Sequence, residues 1–134
     1  RAATDSMLLS NGGAVPILRK HRAAACTDVT GFGLCGHLGE MLRGGAVHVQ
    51  LRLGAVPLLP GVRECVAKGV KSSLKKANER HARNIQNAAD PAIKAHPSYH
   101  LLFDPQTSGG LLFALPAGEA EACVRELRSA GFPD

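Results

Sequence analysis

The spacing of apolar residues predicts a series of short helices and strands. Residues 2–21 should form two helical pieces separated at Asn11-Gly12-Gly13, with Pro16 tolerated near the start of the second piece. Apolar side chains then recur at helical spacing at positions 34, 38, 41 and 42. A strand or loop through Val29 should therefore lead into a glycine turn and then into a helix that ends at Gly44-Gly45.

The middle of the chain contains the clearest alternation. Residues 47–53 alternate strictly between apolar and polar side chains, which predicts a strand with one buried face and an exposed His48 on the other. Residues 62–66 predict a short helix that stops at Gly69. Beyond it, residues 71–97 predict a basic, solvated loop or helix face and then a loop or irregular helix.

The last third predicts a turn, a strand and a helix. Asp104-Pro105 should begin the turn and Gly109-Gly110 should end it. Residues 111–115 are apolar on both faces, which predicts a strand inside a covered sheet, and residues 118–130 predict an amphipathic helix. Alternating helices and strands favour an α/β, or α+β layered, fold with a small mixed sheet covered by helices.

Length and composition narrow the class of protein. The 134 residues suffice for a single domain, 1–134, with its own core. No signal-peptide pattern follows Arg1, and no apolar run approaches the roughly 20 residues of a membrane span. Residues 131–134, Gly-Phe-Pro-Asp, predict a turn into a further segment. We therefore expect a piece of a longer cytoplasmic protein with no membrane partner.

Charge and cysteine usage limit the partners. A net charge of +5 suits an anionic partner, but the basic residues 71–83 include no aromatic residue to stack on a base, which argues against nucleic acid. Three polar residues within them could line a polar pocket or cap a helix: Ser72, Ser73 and Asn78. No C-x-x-C pair is present, so neither a zinc site nor a thioredoxin-like motif is indicated. Three cysteines should be small buried apolar residues: Cys35, Cys65 and Cys123.

The candidate chemistry lies in residues 26–41, where four glycines stand close to Asp28. Glycines before a helix let backbone N–H groups approach a ligand, and the helix N-terminus favours negative charge. A neighbouring aspartate can hold Mg²⁺, which in turn screens phosphate oxygens. A structural interpretation stays open, in which Asp28 or Thr30 caps the helix and the glycines only pack it.

Two motifs carry a resemblance to a known family. Residues 25–34, Ala-Cys-Thr-Asp-Val-Thr-Gly-Phe-Gly-Leu, followed by Gly-His-Leu at 36–38, resemble the signature of selenophosphate synthetase, or selenide, water dikinase. Residues 104–112, Asp-Pro-Gln-Thr-Ser-Gly-Gly-Leu-Leu, match that family's second signature. Two long motifs in the right order and at the right separation are far more specific than one glycine turn.

The resemblance implies the carboxy-terminal domain of a two-domain enzyme, similar to that of aminoimidazole ribonucleotide synthetase. The implied reaction converts ATP, selenide and water into selenophosphate, AMP and phosphate for selenocysteine synthesis, with Mg²⁺ as cofactor. The amino-terminal domain would supply the catalytic nucleophile, a lysine and most Mg²⁺-binding acids. No catalytic residue is therefore assigned here, the chain alone should be inactive, and the full-length protein should be a homodimer.

The family's site residues transfer onto this chain by position. Asp28 matches the Mg²⁺-binding aspartate, and Cys26 does not match the nucleophile. In the family a turn around this aspartate lies close to the nucleotide. The residues of this chain that match that turn are Thr27, Thr30, Gly31 and Gly33. The second signature, expected to be mainly structural and able to line the cleft between domains, comprises Gln106, Thr107, Ser108, Gly109 and Gly110.

Two other functions remain compatible with the sequence. One is a different ATP-dependent enzyme of the same superfamily, such as aminoimidazole ribonucleotide synthetase or a hydrogenase-maturation relative; the wording of residues 104–110 argues against it. The other is a non-catalytic basic domain that contacts another subunit or RNA through residues 71–83.

Overall fold

The computed structural model describes residues 1–132, which contain seven α-helices, five 3-10 turns and two short strands. The strands are β1 (Ala25–Asp28) and β2 (Leu111–Ala114). The helices are α1 (Ala2–Leu8), α2 (Val15–Lys20), α3 (Gly33–Met41), α4 (Val62–Ala67), α5 (Lys75–Asn78), α6 (Pro91–Ala95) and α7 (Ala120–Ser129). The predicted class, helices with a small sheet, is confirmed.

Local turn chemistry sets several element boundaries as predicted. A 3-10 turn at Asn11–Ala14 separates α1 from α2, and Pro16 lies in the first turn of α2, where a missing N–H costs nothing. Gly44 and Gly69 follow α3 and α4 with φ of +78° and +75°, the left-handed conformation that ends a helix. The turn predicted at 131–134 reaches beyond the described residues.

The sheet is an antiparallel pair. Ala25 lies opposite Ala114 and Asp28 opposite Leu111, and residues 1–132 contain no parallel pair. The prediction that residues 111–115 are fully covered was wrong, since Leu111, Leu112 and Phe113 are only half-buried. In a two-stranded ribbon each strand keeps one open edge, so neither strand can be enclosed as a central strand would be.

The prediction of a strand at residues 47–53 was also wrong. Residues 46–52 are irregular, and Val47, Val49 and Leu51 are 62%, 50% and 40% exposed. Alternation fixes a strand only where a neighbouring strand supplies hydrogen bonds and cross-strand contacts, and no strand in residues 1–132 pairs with this segment. His48 is exposed, as expected, but it does not lie on a strand.

The buried apolar residues form two small cores. The first core joins α2, α7 and β2 and consists of Ala14, Leu18, Cys123 and Leu127, with Leu111 and Phe113 packed against it. The second core joins α3 to the 3-10 turn Tyr99–Phe103 and consists of Cys35, Tyr99, Leu102 and Phe103. Because β2 packs on the first core and β1 contacts α3, the sheet links the two.

Some of the cysteines are buried and others are exposed, and the same is true of the residues in the basic segment 71–83. Cys35 and Cys123 are buried, as predicted, whereas Cys65 is exposed and its prediction was wrong. The reason is that α4 buries none of its residues, so its apolar stripe has no surface to cover. The lysines and arginines of residues 71–83 are solvated as predicted, but Asn78 and His81 among them are buried.

Candidate functional site

The two motifs are far apart in sequence and adjacent in space. Val29 donates its backbone N–H to the carbonyl oxygen of Gly110 at 2.9 Å, and Gln106 donates its N–H to Thr30 at 3.0 Å. These two hydrogen bonds join the turn after β1 to the turn before β2. We call residues 28–33 together with residues 104–110 the motif junction.

Asp28 stands at the end of β1, on the rim of the motif junction. Its side chain is exposed, and within residues 1–132 no group donates a hydrogen bond to its carboxylate. Thr27, which points to the opposite face of the strand, donates its hydroxyl to the backbone oxygen of Asp28 at 3.1 Å. The carboxylate therefore keeps its full capacity to accept hydrogen bonds or bind a cation.

The structural interpretation of Asp28 and Thr30 as helix caps does not fit the geometry. The residue that precedes α3 is Phe32, and no side chain forms a capping hydrogen bond there. The hydroxyl oxygen of Thr30 instead lies 3.2 Å from Nε2 of His37, and its backbone oxygen accepts from both Gly33 and Gln106. Neither residue is thus explained by capping.

Cys26 lies on the same strand face as Asp28, two residues away. Burial raises the pKa of its thiol, and the carboxylate of Asp28 raises it further. Both effects oppose formation of the thiolate, which is the nucleophilic form of cysteine. Both effects on the thiol pKa therefore agree with the expectation that Cys26 is not the catalytic nucleophile.

Two glycines allow the motifs to approach this closely. Gly33 has φ of +68°, and a Cβ there would lie 2.9 Å from the oxygen of Asp104 and 3.0 Å from that of Leu102. At Gly109 a Cβ would overlap the carbonyl oxygen of Val29. Any side chain at these two positions would push the backbones apart. Gly31, in contrast, has open space around it.

Buried side chains hold the junction from outside. Asn78 is 4% exposed and donates through Nδ2 to the oxygens of Gly31 at 2.8 Å and Phe103 at 3.1 Å. Asn11 donates to the oxygen of Gly109 at 2.9 Å. No pattern in the sequence marks Asn11 as part of the site. His37 lies in the Gly-His-Leu that extends the first motif, but the motif alone gives it no role. For Asn78 the sequence predicts either a polar pocket or a helix cap.

Most of residues 106–110 are exposed, and the last three of them also line a groove. Gly109 is half-buried, whereas Ser108 and Gly110 are exposed. Gln106 and Thr107 are exposed, and the side-chain amide of Gln106 donates to the backbone oxygen of Asp104 at 3.2 Å. Ser108, Gly109 and Gly110 line a groove of about 280 Å³ between α1, β2 and α7. Asp104 is half-buried; burial raises the pKa of its carboxyl, and Lys75 partly opposes that shift.

The chain supplies few ligands for a metal. Within residues 1–132 no three histidine, cysteine, aspartate or glutamate side chains lie close enough together to hold an ion. A single carboxylate such as that of Asp28 is compatible with a Mg²⁺ site, because Mg²⁺ is commonly held by one or two carboxylates together with waters and substrate phosphates.

No helix within residues 1–132 has the length and apolar character needed to cross a membrane.

Comparison with known families decides the relationship. Residues 13–134 match the family model described as AIR synthase related protein, C-terminal domain. The chain belongs to this family. The match extends from the 3-10 turn before α2 through both motifs, and so includes the whole motif junction.

Curated relatives in the search are selenide, water dikinases. The protein from Geobacter metallireducens is 40% identical over 126 residues, which is 93% of this chain and 36% of that protein. The protein from Trichlorobacter lovleyi is 44% identical over 115 residues, 85% of this chain and 32% of that protein. The protein from Cronobacter sakazakii is 39% identical over 120 residues, with 89% and 33% covered. The predicted resemblance is confirmed, and the chain spans about a third of the length of these relatives.

Proposed function

We propose that this chain is the carboxy-terminal part of a selenide, water dikinase. The whole enzyme would convert ATP, selenide and water into selenophosphate, AMP and phosphate, and the product would serve selenocysteine synthesis. The relatives' names support this choice over another ATP-dependent enzyme of the superfamily. The observation that carries the proposal is an exposed Asp28 carboxylate, without a hydrogen-bond donor among residues 1–132, at a junction built from both family motifs.

The chemistry of ATP explains why a carboxylate is useful there. Cleavage at two phosphate bonds develops negative charge on several oxygens, and Mg²⁺ bound at the site would neutralise that charge. Asp28 would hold Mg²⁺ against the phosphates with its free carboxylate. Thr27, Thr30, Gly31 and Gly33 would shape the backbone beside it, and Gly109 would keep the second motif in contact with that backbone.

One carboxylate cannot hold several Mg²⁺ ions, so the site must be completed by groups outside residues 1–132. We assign those groups, and the nucleophile, to the amino-terminal domain of a longer cytoplasmic protein that works as a homodimer. It follows that the 134-residue chain alone should neither hydrolyse ATP nor make selenophosphate. Magnesium-dependent ATP turnover by the purified chain would contradict this division of the site.

The decisive experiment substitutes Asp28 in the full-length protein. Asp28→Asn keeps the shape of the side chain and removes its charge, so selenophosphate formation should fall on the order of a hundredfold at low Mg²⁺. Asp5→Asn on α1 is the matched control, because Asp5 is also exposed and lies outside the motif junction. Wild-type turnover by Asp28→Asn across a Mg²⁺ titration would remove Asp28 from the metal site.

A further inference from the structure

The Asp28 carboxylate has no hydrogen bond of its own to fix its direction within residues 1–132. Its orientation therefore depends on the backbone, which the pairing of Asp28 with Leu111 holds on one side and the turn of residues 29–33 holds on the other. Besides the contacts with the second motif, two buried side chains hold that backbone, Asn78 from α5 and His37 from α3. Neither residue has a role in the function proposed above.

Asn78 ties both sides of the motif junction together. It ends α5, and its side-chain amide offers two hydrogens, one to Gly31 in the first motif and one to Phe103 directly before the second. Both acceptors are backbone oxygens, so the contact fixes the path of the chain. With 4% of its surface exposed, Asn78 is shielded from water that could replace these bonds.

His37 holds the same turn from the helix side. Its Nε2 accepts the backbone N–H of Phe32 at 3.4 Å, and the Thr30 hydroxyl lies 3.2 Å from the same atom. Because Nε2 accepts, the ring hydrogen must sit on Nδ1. The single lone pair of Nε2 is thus shared by two donors of the turn, and the ring lies at a tilt against Phe32 with centroids 5.4 Å apart.

The other nitrogen of His37 carries a cost that its acceptor at the turn must offset. Nδ1 lies 3.3 Å from a carboxylate oxygen of Glu40, yet it is not aligned for a hydrogen bond and has no such partner in residues 1–132. A buried nitrogen without a hydrogen bond costs free energy. An apolar residue would avoid that cost, so the benefit of histidine here is its acceptor at the turn.

We propose that Asn78 and His37 are positioning residues that aim the Asp28 carboxylate, and that they set the Mg²⁺ affinity of the site. The proposal rests on the function proposed for Asp28. Residues behind a metal ligand orient it, and their loss weakens metal binding even when the ligand itself remains. A residue needed only for folding would lower stability without changing the Mg²⁺ requirement of the folded enzyme.

The test compares Asn78→Ala with Asn87→Ala in the full-length protein. Asn87 is an exposed asparagine of the following segment with no hydrogen bond from its side chain in residues 1–132, so it is a matched control. Asn78→Ala should raise the Mg²⁺ concentration for half-maximal activity roughly 10- to 100-fold. The rate at saturating Mg²⁺ should stay near wild type, and Asn87→Ala should change neither quantity.

Amide hydrogen exchange provides a readout that does not depend on activity. In Asn78→Ala, exchange should accelerate at Phe32 and Gly33, whose amides donate hydrogen bonds within the turn, while the β1–β2 amides keep wild-type rates. Faster exchange across the whole chain, or local acceleration with an unchanged Mg²⁺ requirement, would overturn the positioning role. Failure of the proposed function is seen separately, as wild-type Mg²⁺ dependence in Asp28→Asn.

A second pair of variants decides the matter if Asn78→Ala does not fold. His37→Leu keeps most of the volume and loses the acceptor, so its Mg²⁺ requirement should rise by a similar factor. His37→Gln restores an acceptor at comparable reach and should recover most of the wild-type requirement. Equal Mg²⁺ requirements in the leucine and glutamine variants would overturn the proposal.

Discussion

The two cores each border on a buried histidine, and the two histidines are used in opposite ways. His21 and His37 are both 7% exposed. Next to the first core, Nδ1 of His21 lies 2.9 Å from Glu119 and Nε2 lies 2.9 Å from Glu126. Carboxylates only accept, so both nitrogens must donate and the ring is an imidazolium. Next to the second core, Nε2 of His37 is itself an acceptor.

At His21 the hydrogen-bond partners outweigh burial, whereas burial is the main cause that lowers the pKa of the third buried histidine, His81. Hydrogen bonds to Glu119 and Glu126 raise the pKa of His21 above its usual 6.5, against the effect of burial. Lys20 and Arg22 pair with the same two carboxylates at 2.8 and 2.7 Å. This charged cluster ties α2 to α7 next to the first core, whereas neutral hydrogen bonds and close backbone contacts hold the region of the second core.

The largest expected effect comes from breaking the close backbone contact beside the second core. Gly33→Ala should cost about 3 kcal/mol of unfolding free energy, because it combines a left-handed alanine with contacts to two backbone oxygens. Gly44→Ala is the matched control, since Gly44 has a similar φ and open space around it. That variant should cost only about 1 kcal/mol. Equal losses in urea unfolding would show that the contact at Gly33 contributes nothing.

A smaller and pH-dependent effect should distinguish the first core. Because the pKa of His21 is raised, its contribution is complete below pH 6.5, the usual value, and is lost as the pH rises through the folded-state value. The pKa values of Glu119 and Glu126 are lowered from 4.5, mainly by hydrogen bonds to His21 and Lys20 respectively, so their contribution is lost as the pH falls through their folded-state values. Stability from this cluster should therefore be greatest between about pH 4.5 and 6.5.

The measurement is the urea midpoint as a function of pH. Between pH 6 and 9 the wild-type midpoint should fall, and His21→Gln should remove most of that fall. His48→Gln is the control, because His48 is exposed and lies in the irregular segment. A wild-type midpoint that stays flat over this range would contradict the charged state assigned to His21.

The smallest expected effect concerns how readily a reagent reaches the cysteine thiols, and not the free energy of unfolding. Burial raises the thiol pKa of Cys35 in the second core and of Cys123 in the first, and nearby Glu126 and Glu119 raise that of Cys123 further. At neutral pH a thiol reagent should label exposed Cys65 at once and leave the two buried thiols protected.

Raising the pH should then separate the two cores in single-cysteine variants. Deprotonation of His21 weakens the tie between α2 and α7, so labelling of Cys123 should accelerate more than that of Cys35. The labelling rate of Cys65 corrects for the greater reactivity of thiolates at high pH. Parallel acceleration of Cys35 and Cys123 would mean that the two cores open as one unit.

Much of the local structure could be predicted from the sequence because its causes are local. Asn11-Gly12-Gly13 interrupts the first helical segment, Pro16 lies where a proline begins a helix, and Gly44 ends α3. Each depends on the backbone freedom or capping capacity of one residue and its neighbours. The two motifs likewise determined the family, since their wording and order are properties of the sequence.

The tertiary structure decided the features that depend on partners far away in the sequence: strand pairing, burial and side-chain hydrogen bonds. Residues 47–53 have the alternation of a strand but no neighbouring strand in residues 1–132. Cys65 has the spacing of a core residue, but it lies on a helix that buries none of its residues. Asn78 reaches Gly31 across 47 positions, and Asn11 reaches Gly109 across 98. A side-chain amide has no preferred partner until folding brings one within hydrogen-bonding distance. The sequence therefore determined the turns and the candidate ligand Asp28, and the fold decided which side chains hold them in place.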